Sequence, residues 1–116
     1  MIRPTAEVAV YLCVAPVDMR KQAASLALLV EQSLGCNVFD GAVFGFANAR
    51  RDRVKLVAWE RNGLVLWSKR LERERFVWPT THETTVSLTG RELNALLDGF
   101  DVFRRGHREL AVRRVG

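Results

Sequence analysis

Apolar positions change period several times along this chain. Val8 to Leu12 is a short β-branched and aromatic run that predicts a first strand. Pro16 punctuates the loop behind it, and Asp18 is a suitable N-cap for a helix from Met19 to about Leu34. Leu26, Leu29, Val30 and Leu34 fall at helical spacing and form its buried stripe, with Gly35 as the C′ residue. Val43 to Asn48 alternates as a second strand, with Phe44 and Phe46 on one face. Strands follow at about 53–60 and 64–71, then a short one at 75–78 that ends at Pro79, and another at Thr85–Leu88. TGREL, from Thr89, is a capping box in which Thr89 and Glu92 serve each other's backbone donors. Leu93, Leu96 and Leu97 give the ensuing helix one apolar side, and Gly99 ends it. The expected fold is α+β: a small single domain over 1–100, with an antiparallel β-sheet of four to six strands and two helices packed on one face. Residues 101–116 form a basic C-terminal tail.

Asn62–Gly63, between two alternating runs, predicts a type I′ hairpin turn. With those two residues as the loop, Arg61 faces Leu64. Val54, Leu56 and Ala58 then lie opposite Leu71, Lys69 and Trp67 on the core face. On the other face Lys55 lies opposite Arg70, Val57 opposite Ser68 and Arg53 opposite Glu72. Like charges placed directly opposite cost about 0.2–1 kcal/mol, and a phosphate held between them would reverse the sign. A solvated face explains the same charges without a ligand.

Composition sharpens this point. The 116 residues carry a net charge of +5, with fifteen Arg against three Lys. Nine of the eighteen cations lie between Arg50 and Arg75, and five more between Arg104 and Arg114. Charge gathered in this way favours a polyanion or an acidic partner over general solubility. Candidate nucleic-acid contacts are Arg50, Arg51, Arg53, Lys55, Lys69, Arg70 and Arg73, with Trp59 as a stacking surface. For Trp59 and Trp78 the core is the favoured reading, since tryptophan is more often core than a base-stacking surface. Arg20 and Lys21 extend the set, because in the first turn of the first helix they and the free N–H groups would seat a phosphate. Exposure to salt is the competing explanation, since the helix dipole disfavours cations there.

No phosphate loop, metal-ligand cluster or hydrolase elbow occurs. Cys13 and Cys36 lack metal-ligand spacing and read as small hydrophobes; His82 and His107 stand apart from any nucleophile. No enzyme activity, cofactor or metal is expected. No apolar run reaches the ~20 residues that span a bilayer, and no signal-peptide pattern opens the chain, so a cytoplasmic protein without a membrane partner is expected.

VDMRK at 17–21, RRDRVKLVAW at 50–59, NGLVLWSKRLERERFVWP at 62–79 and LTGRELNALLDGFD at 88–101 carry a resemblance. Over roughly 8–101 the chain resembles the TnpB-type accessory proteins of insertion-sequence family sixty-six, the short second reading frame of those bacterial mobile elements. It departs from the family pattern at Gln22, where many members have Gly, and at Ala47, where many have a basic residue. The resemblance implies a non-catalytic role in transposition, and so in DNA recombination, beside a separate transposase; it carries over no binding residues. Two readings follow. One is a DNA-binding accessory factor that grips phosphates through the hairpin. The other is a protein-interaction module that docks on the transposase without touching DNA. A homo-oligomer is compatible with either.

Overall fold

In the computed structural model, which describes residues 3–103, the chain runs β1 (Ala9–Cys13), α1 (Ala23–Gln32), a 3₁₀ turn (Val38–Asp40), β2 (Val43–Ala47), β3 (Arg53–Glu60), β4 (Gly63–Arg70), β5 (Thr85–Thr89) and α2 (Gly90–Leu97). One sheet in the order β4-β3-β2-β1-β5 holds all five strands. The α+β class holds, in a mostly antiparallel sheet with two helices. Of the tail, residues 101–103 are described, with Val102 buried in the core and Phe103 packed against it; its residues from 104 onward, His107 among them, lie outside the described residues.

Several details differ from the expectation. β1 and β2 are parallel neighbours, because α1 carries the chain back to the end from which β1 started. The helices also occupy opposite faces rather than one. Val10, Leu12, Val43, Val54 and Leu56 join Leu93, Leu96 and Leu97 of α2 in one core. Phe44, Phe46 and Val57 join Leu26, Ala27 and Val30 of α1 in another. Every residue of β2 is buried, as both-sided burial requires.

α1 starts four residues later than expected. Asp18 instead folds back on its own loop: its carboxylate accepts from the Arg20 backbone N–H at 2.9 Å, and the Asp18 carbonyl accepts from Lys21 N–H at 3.1 Å. Gln22 is the N-cap residue and its side chain caps nothing. α2 begins as the sequence predicts, with both halves of the Thr89–Glu92 capping box formed. Gly35 and Gly99, expected after the helices, both take positive φ.

The strand expected at 75–78 is absent. That segment runs extended beneath α2, burying Phe76 and Trp78, and the Trp78 indole donates to the Cys13 carbonyl at 2.9 Å. Among the described residues no helix is long and apolar enough to cross a membrane.

Candidate nucleic-acid interface

The hairpin closes through Arg61–Asn62, with Glu60 opposite Gly63, rather than through Asn62–Gly63. Arg61 takes the left-handed φ of 57°, and neither Asn62 nor Gly63 does, so the turn is not type I′. The observed register sets Leu56, Val57, Ala58 and Trp59 against Trp67, Leu66, Val65 and Leu64. The expected register would have set Leu56 and Val57 against Lys69 and Ser68. The observed register pairs four apolar positions of β3 with apolar partners where the expected one pairs three, and it holds Arg61 in the left-handed region at a cost of ~1–2 kcal/mol.

The shift replaces the expected Lys55–Arg70 pair with Arg53 opposite Arg70, and leaves Lys55 opposite Ser68. Leu71 N–H donates to the Asp52 carbonyl at 2.8 Å, and the Arg53 carbonyl accepts from Asn48 N–H at 3.2 Å, on the β2 side. Arg53 and Arg70 are therefore a non-hydrogen-bonded pair, the kind that brings side chains closest. Both are exposed, and neither guanidinium has a carboxylate partner among the described residues.

Around this pair runs a shallow depression in two parts. One of about 220 Å³ is lined by Met19, Arg53–Lys55 and Ser68–Arg70, Lys69 among them although its ammonium reaches the other face. The other, about 370 Å³, lies between Val17–Met19 and the Asn48–Arg53 turn, and shares Arg53 and Arg70 with the first. Arg20, Lys21, Arg50, Arg53, Lys55 and Arg70 outnumber the nearby Asp18 and Asp52. Both carboxylates are already engaged. Arg20 bonds Asp18 with its Nε and Nη2, the latter at 2.6 Å, and this holds the Asp18 pKa down at about 2. The Asn48 amide, at 2.6 Å, lowers that of Asp52, helped by Arg50 at 4.0 Å.

The remaining candidates divide. Lys55 Nζ donates to the carbonyls of Met19 (2.7 Å) and Lys21 (2.8 Å), which joins the VDMRK segment to β3. Lys69 lies on the opposite face and donates to the Leu97 carbonyl of α2 at 2.8 Å. Arg51 reaches the Trp78 carbonyl at 3.1 Å. These three cations serve backbone carbonyls. Trp59 sits about 20 Å along β3 from Arg53, half-buried and edge-on to Phe39 with ring centroids 4.8 Å apart. Trp78 is core. Arg73 is exposed in the segment after β4. Arg20 and Lys21 precede α1 rather than opening it, so no helix N-terminus backs them.

Two further residues join the site that the sequence does not mark as site residues. Asn48 shapes the turn by accepting from the N–H groups of Asp52 and Arg53. Asn ahead of a charged turn is an Asx-turn signal, so this was readable. Ser68 brings a hydroxyl into the depression, and only the register places it there. A hollow of about 570 Å³ lies elsewhere, beside Tyr11, Asp40 and Phe44, and among the described residues no cation lines it. Among the described residues no group of three or more His, Cys, Asp or Glu could hold a metal.

A family model described as IS66 Orf2 like protein matches residues 8–107. The uncharacterized protein y4hO of Sinorhizobium fredii is 35% identical over 94 residues, covering 81% of this chain and 82% of that protein. The uncharacterized protein y4jC of the same organism is 29% identical over 101 residues, covering 87% and 86%. No solved structure matches the chain.

Proposed function

The chain belongs to the IS66 Orf2-like family, and from that premise we propose a non-catalytic accessory factor of transposition that meets nucleic-acid phosphates at the open end of the β3–β4 hairpin. What supports this reading is the Arg53–Arg70 pair: two exposed guanidiniums on adjacent strands, with no carboxylate between them. A phosphodiester accepts from both forks and removes their repulsion. Arg50 lines the same depression, and Arg20 and Lys21 follow directly on the Val17–Met19 segment that lines it, so all three enlarge the positive field. Arg51, Lys55 and Lys69 are assigned a structural role, and Trp59 stands too far away to act with the pair. Contacts of this kind position a protein on nucleic acid without reading sequence.

The test is a salt titration of the full chain on generic duplex DNA, followed by fluorescence anisotropy. Counterion release predicts a linear fall of log K with log salt, about 0.9 per phosphate engaged. An affinity that does not change with salt contradicts the proposal. Absence of DNA binding together with tight binding to the cognate transposase assigns the basic surface to a protein partner instead.

A further inference from the structure

We infer that the edge of β4, which no other strand pairs among the described residues, pairs with β4 of a second copy, two-fold and antiparallel, to make one continuous sheet. This does not depend on the reading of the basic end. β4 is an eight-residue edge strand whose register against β3 runs without a bulge. Its stretch Gly63–Ser68 holds no charge and no proline, so it lacks the devices that usually blunt an edge. β5, the opposite edge, is a shorter five-residue strand.

The backbone direction follows from the ladder. The Leu71–Asp52 bond places the odd-numbered residues of β4 in hydrogen-bonded pairs with β3. The N–H and C=O groups of Leu64, Leu66, Ser68 and Arg70 therefore point away from the sheet. The charge pattern chooses the occupant and its direction. Lys69 and Arg70 lie at one end of the uncharged stretch, Glu60 and Arg61 at the other. Two-fold antiparallel pairing centred near Leu66 overlaps the two uncharged stretches. It holds the Lys69–Arg70 groups of the copies at opposite ends, about 25 Å apart along the strand. Parallel pairing would stack them.

The experiment is sedimentation equilibrium of the full chain from about 1 to 100 μM, with amide exchange on the same samples. The expected result is a mass approaching two chains at high concentration. The Leu66 and Ser68 amides should then exchange slowly when concentrated and quickly when dilute. Ser68→Pro removes one outward donor while sparing the β3 ladder, and should abolish the dimer with the far-UV spectrum retained. Ser87→Pro, the matching change on the β5 edge, should leave the dimer in place. A monomer throughout the range overturns the inference, as does a dimer lost with Ser87→Pro and kept with Ser68→Pro. Protection of these amides only after transposase is added also overturns it, and gives the edge to that protein.

Discussion

The two faces of the sheet are each tied to the hairpin by one lysine, and the ties differ. On the α2 face Lys69 reaches the last carbonyl of a helix, where the dipole welcomes a cation, and that helix has a complete capping box. On the α1 face Lys55 reaches two carbonyls of the loop ahead of a helix that has no side-chain cap and no acidic residue in its first turn. Both ties are long-range, across 28 positions on the α2 face and 34 on the α1 face, but only the α2 tie ends on a helix that local sequence has capped. The less tightly built face is also the one where Arg53 and Arg70 are left outward.

Gly90→Ala should be the most damaging change on the α2 face. A Cβ there would stand 1.7 Å from the Thr5 carbonyl oxygen, backbone against backbone, so the 3–8 segment must move. A loss of about 3 kcal/mol is expected in denaturant unfolding; a variant as stable as wild type would show that this segment does not pack on α2 in solution.

The lysine ties come next. Lys55→Met should cost about 2 kcal/mol, because it strips a charged donor from two carbonyls. Lys69→Met should cost about 1 kcal/mol, the worth of a cation at a helix C-terminus. Equal losses would erase the contrast between the faces.

Smaller effects probe the turn. Arg61→Gly should stabilise by about 1 kcal/mol by relieving a left-handed arginine. Gly63→Ala should stay within about 0.5 kcal/mol, since its Cβ would meet open space. A large loss at Gly63 would restore the Asn62–Gly63 loop and its register.

The smallest expected effect concerns Asp18. Its folded pKa of about 2 lies below the unfolded value, so the contribution of its pairing is present above pH 4 and is lost as pH falls through 2. A carboxyl titration followed by NMR should give that midpoint, and Arg20→Gln should raise it.

Much of this was legible in the sequence. The positions of the five strands along the chain, the α2 capping box and the glycines after both helices rest on local signals, and local physics decided them; the parallel β1–β2 pairing and the loss of the 75–78 strand were set by tertiary packing. The hairpin register was not legible, because the Asn-Gly preference and the pairing of apolar positions disagree by one residue at the turn. The apolar pairs won. Placement of the helices had a signal in VFGFA, whose uninterrupted burial marks a sheet covered on both sides. At the candidate site, the sequence showed that cations gather between Arg50 and Arg75. It could not separate cations that serve carbonyls from cations that face solvent, because only the folded register decides which side chains reach Met19, Leu97 and Trp78.

The central claim is that Arg53 and Arg70 grip phosphate whereas Lys69 holds the fold. The most direct test is the salt slope of duplex DNA binding for wild type, the Arg53→Gln/Arg70→Gln double variant and Lys69→Met. The double variant should fold as well as wild type or slightly better, and its slope should fall by about 1.8, two contacts' worth. Lys69→Met should keep the wild-type slope. A double variant with an unchanged slope would contradict the account.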